Sequence, residues 1–113
     1  MRVAQINDCQ ICLGYRFPEL QEQGVTEDFY NEVASWQTSE AFSDREKLAI
    51  EYTEKFLKDH TSIDDEFFGR INALFSPQEA LELTAIISGL MANGRLMAVL
   101  KLDQQCSMSF ENP

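Results

Sequence analysis

"SPQEALELTAIISGLMANGRLMAVLKL", residues 76–102, is the stretch whose reading decides the fold. Ser76 has the hydroxyl of a helix N-cap, Pro77 suits the first helical position, and Glu79 stands where a capping box needs a carboxylate. The middle of the stretch, Leu83 to Gly94, contains no charged residue and is apolar on nearly every side. A helix without a polar face is expected to be buried all round, in a small domain against other subunits as well as against its own core. Gly89 and Gly94 weaken such a helix but let a neighbouring backbone come close, and Gly94 has the alternative of ending or kinking it.

Reading back towards the N-terminus, the helical signals repeat. "SIDDEFFGRINALF", residues 62–75, places Ile63, Phe67, Ile71 and Leu74 on one face and gathers its acids in the first turn, where they suit the helix dipole. In "FSDREKLAIEYTEKFLKD", residues 42–59, Ser43 and Glu46 form a second capping box, and Leu48, Tyr52 and Phe56 recur every four residues. Glu51 with Lys55 and Glu54 with Lys58 have the spacing of i,i+4 ion pairs. Thr26 is placed to cap a shorter helix carrying Phe29, Val33 and Trp36, after a break at Gly24. No strand pattern, internal repeat or linker interrupts the series. The expectation is an all-α fold in a single domain over residues 1–113, oligomeric through its long apolar helix.

Composition fits a globular chain. Its 113 residues are 44% hydrophobic and 25% charged, with enough aromatic residues to pack a core. Nine basic against nineteen acidic residues give a net charge of −10, which repels nucleic-acid backbones and anionic lipid surfaces alike. Neither nucleic acid nor membrane is expected as a partner. The longest uncharged run falls short of the ~20 apolar residues that cross a bilayer, and no signal-peptide pattern opens the chain, so the expected location is cytoplasmic. Three cysteines, an odd number, do not describe a secreted disulfide scaffold. In a reducing compartment a C-x-x-C pair points to catalysis or metal binding.

That pair lies in "NDCQICLGYR", residues 7–16. Asn7 and Asp8 both suit an N-cap, so a helix is expected to start at Cys9, with Pro18 kinking or ending it. Cys9 and Cys12 then share a first turn at disulfide distance, where the helix terminus and Arg16 favour thiolate over thiol. Two alternatives stand beside a redox pair. The cysteines serve as small buried hydrophobes, or they are half of a zinc site that must draw on Cys106 and the single histidine, His60.

Three runs together carry a resemblance: "RVAQINDCQICLGYR", then "SWQTSEAFSDREKLAIEYTEKF", then "IDDEFFGRINALFSPQEALELTAIISGLMANGRL". In this order they resemble the carboxymuconolactone decarboxylase family in its alkylhydroperoxidase D-like branch, from Val3 to Leu100. The resemblance implies an all-helical domain assembled as a trimer or hexamer. It also implies a peroxidase-type thiol-disulfide oxidoreductase that reduces a hydroperoxide or a partner disulfide and is recharged by a dithiol, with no metal or organic cofactor. By the same resemblance Cys12 is the nucleophile and Cys9 the resolving thiol. The branch places a histidine four residues after the second cysteine, where this chain has Arg16. It places a glutamate about a dozen residues before the first, a position that would fall before Met1, on an upstream helix.

Arg16 cannot accept a proton near neutral pH, although its charge can stabilise a thiolate. Its alternative is a surface ion pair with Glu19 or Glu22. Lactone decarboxylation, the other branch of the family, and a noncatalytic oligomeric module of the same fold are the rival functions. The remaining chemistry-bearing residues have plainer readings: His60 as an exposed helix-end cation, Cys106 as a passive thiol, Met91 and Met97 as core or interface, and Asp64, Asp65, Glu66, Glu79 and Glu82 as solvated carboxylates.

Overall fold

The computed structural model describes residues 1–102. Every regular element among them is helical: α1 (Arg2–Asn7), α2 (Gln10–Gly14), α3 (Pro18–Glu22), α4 (Glu27–Glu32), α5 (Asp44–Lys58), α6 (Asp65–Leu74) and α7 (Pro77–Val99), with single 3-10 turns at Val33–Ser35 and His60–Ser62.

α5 and α7 start where their caps predict, and α6 gains a cap from an acid read only as solvated. Ser43 and Ser76 each accept a hydrogen bond from the backbone N–H three residues on, and Glu46 and Glu79 return it, so both capping boxes are complete. Asp64 caps α6 by accepting from Phe67 N at 2.9 Å. Thr26 caps α4 after Gly24, whose φ of +93° is a turn conformation natural to glycine. Pro18 does not kink the cysteine helix. It occupies the first turn of α3, because α2 has already ended at Gly14.

α5, α6 and α7 enclose the core of Leu48, Tyr52, Phe67, Ile71, Phe75, Ala80 and Ile87. Ile71 is fully buried. Tyr52 keeps its hydroxyl in this core by bonding Thr84 Oγ1 at 2.8 Å; Thr84 in turn donates to Ala80 O at 2.7 Å, which leaves Tyr52 as the donor of the first bond. Leu74, expected on the buried stripe, is instead largely exposed, and Phe75, one residue further, fills that place. The expected i,i+4 pairs on α5 are replaced by longer-range ones. Glu51 forms a two-bond pair with Arg70 of α6, and Glu54 accepts from Arg2 of α1 and from Trp36 Nε1.

α1 packs across both α5 and α7, and it is this contact that brings the cysteine segment to the long helix. α7 runs through Gly94 to Val99 without a break there. It is not buried all round within one chain. Ile87 and Ala80 face the core, while Leu81, Ile86, Leu90, Leu96 and Val99 stay exposed, Leu81 and Val99 by more than two thirds. Among the described residues no helix is long and apolar enough to cross a membrane.

Ile71→Ala should lower unfolding stability by about 2–5 kcal/mol, since the site is enclosed and cannot collapse freely. Urea denaturation followed by circular dichroism would measure the loss.

Candidate functional site

The helix at the cysteines begins one residue later than the caps suggested. Asn7 ends α1, and Asp8 turns the chain through a left-handed conformation, φ 52° and ψ 41°, which a short polar residue tolerates. The turn sends Cys9 N–H back to Ala4 O at 3.1 Å. Cys9 is therefore the N-cap of a five-residue helix, and Cys12 lies in its first turn. Asn7 is freed from capping and reaches α7 instead. Its Nδ2 donates to Met91 O at 3.1 Å, and its Oδ1 accepts from Arg95 Nε at 3.2 Å.

Cys9 and Cys12 are joined as a disulfide, their Cα atoms 5.2 Å apart, an ordinary span for such a bridge. The two sulfurs differ in surroundings. Cys9 is 0% exposed; Cys12 is half-buried and lines a cavity of about 340 Å³ walled mainly by carbon, among others by Val3, Ala4, Ile11, Phe17 and Leu90.

Gly94 makes this arrangement possible. A Cβ built on it would lie 3.1 Å from Asn7 Nδ2, 3.7 Å from Cys12 Sγ and 4.0 Å from Cys9 Cβ. The close approach foreseen for a glycine on this helix is thus the approach of the cysteine turn itself. At Gly89, by contrast, a Cβ meets nothing within 4 Å.

Arg16 pairs not with Glu19 or Glu22 but with Glu27. Its Nε and Nη2 donate to the two carboxylate oxygens at 2.8 and 3.0 Å, and Nη1 donates to Leu13 O and Tyr15 O. The guanidinium lies over the ring of Tyr30, 4.3 Å from its centre. Glu27 and Tyr30 are one turn apart on α4, so a single cation engages both. The Arg16 hydrogen bond holds the Glu27 carboxyl below its ordinary range and raises the guanidinium above its own. Since Glu27 is depressed on folding, its contribution is present above the ordinary carboxylate value and is lost as the pH falls through the depressed one.

The structure thus brings Cys9 and Cys12 together and ties Arg16 to the loop that follows them. His60 lies exposed in its 3-10 turn, as expected, and Cys106 lies outside the described residues. Among the described residues no three of His, Cys, Asp and Glu gather to hold a metal ion. Two participants escaped the sequence reading. Asn7 was assigned to a cap, and Tyr30, which walls the same cavity as Cys12, sits beside Phe29 in a segment read only for its apolar periodicity.

Residues 1–55 match the model of the carboxymuconolactone decarboxylase family, a span that takes in both cysteines, Arg16 and Tyr30. The chain is 32% identical over 104 residues, 92% of its length, to the uncharacterized protein YnjA of Escherichia coli (strain K12). It is 25% identical over 97 residues, 85% of its length, to the uncharacterized protein YdfG of Bacillus subtilis (strain 168). It spans 57% of the first relative and 66% of the second. No solved structure matches it.

Gly94→Val should cost the disulfide form about 1–3 kcal/mol by overpacking the cysteine turn. Gly89→Ala should instead raise stability by up to about 1 kcal/mol through helix propensity. Parallel urea titrations of the oxidised variants would test the contrast.

Proposed function

From its place in the carboxymuconolactone decarboxylase family, to which this chain belongs through the match over residues 1–55, we propose that the protein is a thiol-disulfide oxidoreductase of peroxidase type. One observation carries the proposal. Cys9 and Cys12 form a disulfide in which Cys12 faces an apolar cavity while Cys9 is fully enclosed. An attacking sulfur needs access to substrate, and a resolving sulfur needs only access to its partner.

In the proposed cycle the Cys12 thiolate attacks the terminal oxygen of a hydroperoxide. An S–O bond forms and the O–O bond breaks; sulfur loses two electrons, and the departing alkoxide takes a proton to leave as alcohol. The Cys9 thiol then attacks the sulfenic sulfur, forming the disulfide and releasing water. A dithiol reductant returns both cysteines to thiols by exchange and becomes a disulfide itself. Arg16 contributes its positive charge to the cysteine loop and fixes that loop to α4. No cofactor takes part. The exposed leucines and isoleucine of α7 are the proposed contact between copies of the chain, and light scattering at micromolar concentration should then report a multimer; a monomer would remove this part of the proposal.

The purified chain should consume cumene hydroperoxide with dithiothreitol as reductant. Cys12→Ser should fall to the uncatalysed rate, and Cys9→Ser should undergo one oxidation and hold a sulfenic acid that dimedone labels. Equal consumption by wild type and Cys12→Ser would refute the assignment.

The noncatalytic module has one observation in its favour: the residue at the branch's histidine position is a cation already committed to Glu27. Inert thiols in the wild-type chain would favour it. If the site is catalytic and lacks only a base, Arg16→His should raise turnover, up to the ~10²-fold or more that general acid–base catalysis supplies.

A further inference from the structure

Tyr30 is 9% exposed, and its buried hydroxyl has no hydrogen-bond partner among the described residues. Buried hydroxyls are nearly always paired, so this one needs an explanation. Packing does not supply it. The ring meets Phe29 edge-on at 6.3 Å and carries the Arg16 guanidinium on its face, and a phenylalanine would make both contacts without burying an oxygen. The ring is also held in place: Arg16 is anchored to Glu27 one turn before Tyr30 and to two carbonyls of the cysteine loop. Tyr30 and Cys12 wall the same apolar cavity. A cavity of this kind binds a largely hydrocarbon ligand and uses its few polar groups to orient it.

We propose that the Tyr30 hydroxyl is the hydrogen-bond donor to the oxygen of a ligand held in the cavity beside Cys12. The ligand class is an apolar molecule bearing a single alcohol or hydroperoxide oxygen terminus. For its chemistry the proposal rests on the peroxidase function above. As the Cys12 thiolate takes the terminal oxygen and the O–O bond breaks, Tyr30 gives its proton to the departing alkoxide, which leaves as the alcohol; the phenolate regains a proton from water. The thiol proton of Cys12 has gone to solvent before attack, so the balance is one thiol and one hydroperoxide giving one sulfenic acid and one alcohol. Tyr30 thereby supplies the acid half of the proton transfer that Arg16 cannot perform.

The test uses the intact chain in its disulfide form with two probes, 2-phenylpropan-2-ol and its oxygen-free counterpart cumene, titrated by amide NMR. Both should shift amides around Cys12, Leu90 and Gly94. Tyr30→Phe should weaken the alcohol about fivefold to tenfold, the worth of one hydrogen bond, and leave cumene unchanged. Its thermal midpoint should equal or exceed that of wild type, because an unpaired hydroxyl has been removed. Equal weakening of both probes, weakening of neither, or no binding of the alcohol would overturn the proposal; a hydroxyl satisfied only by an internal water gives the second of these results. A kinetic arm separates the two claims. Oxidation of reduced Cys12 by cumene hydroperoxide should slow about tenfold to a hundredfold in Tyr30→Phe. If wild type consumes no hydroperoxide yet binds the alcohol through Tyr30, the peroxidase assignment fails and the oxygen subsite stands. If wild type is active and Tyr30→Phe matches it in both arms, the tyrosine proposal alone fails.

Discussion

The seating of the cysteine turn on α7 is set by Gly94 having no side chain. The cysteine turn rests on α7 so closely that a single methyl group would press on the Asn7 amide and come into contact with Cys12. Close packing makes such an approach informative, because interiors have little slack to absorb an added carbon. With the turn seated, Asn7 bonds both the backbone and Arg95 of α7, α1 lies across α5, and Arg2 reaches Glu54. The disulfide is therefore held against the helices that also build the core.

Charge in this acidic chain works as a set of connections between elements. Arg2 joins α1 to α5, Arg16 joins the cysteine loop to α4, Arg45 joins α5 to α7, and Arg70 joins α6 to α5. Partly exposed pairs of this type contribute little stability singly. In the Arg16–Glu27 and Arg70–Glu51 pairs a planar, two-pronged geometry instead fixes orientation, which suits arginine better than lysine. With nineteen acids available, these four arginines each find an acidic partner on another element of the fold. For that reason local i,i+4 spacing misidentified the partners of Glu51 and Glu54.

What was legible in the sequence was whatever local chemistry decides. Ser43, Ser76 and Thr26 announce their helices because a cap satisfies backbone groups within three residues, whereas Asp64, read only as a solvated first-turn acid, turns out to cap α6. The cysteine spacing announced the disulfide for a similar reason. The family was legible too, through motif order. The start of α2 was misread because Asn7 and Asp8 are equally suited to begin a helix and to end one, and only the contact with Met91, far along the chain, selects the second. Phe75 and not Leu74 is buried because α6 ends at Leu74 and Phe75 is already extended, so helical spacing no longer sets its direction. Tyr30 gave no signal, since an unpaired hydroxyl is a property of the surrounding wall and not of a spacing.

At the position where the resembled branch carries a histidine, Arg16 limits what this chain can do, and its surroundings are those of a fixed cation. A histidine there would exchange protons and would have to keep a ring nitrogen free to do so. An arginine stays charged, and this one is satisfied from four directions by Glu27, Leu13, Tyr15 and the face of Tyr30. It can hold a loop but cannot carry a proton. The proposed peroxide reduction would nevertheless require a proton to leave Cys12 before attack and another to reach the alkoxide afterwards. The first transfer is open to solvent because Cys12 is only half-buried. The second would take place inside an apolar cavity, where a departing alkoxide is poorly solvated and a nearby donor matters most. Tyr30, the proposed donor, walls the cavity beside Cys12, and Arg16, lying over its ring, is the cation that holds it there.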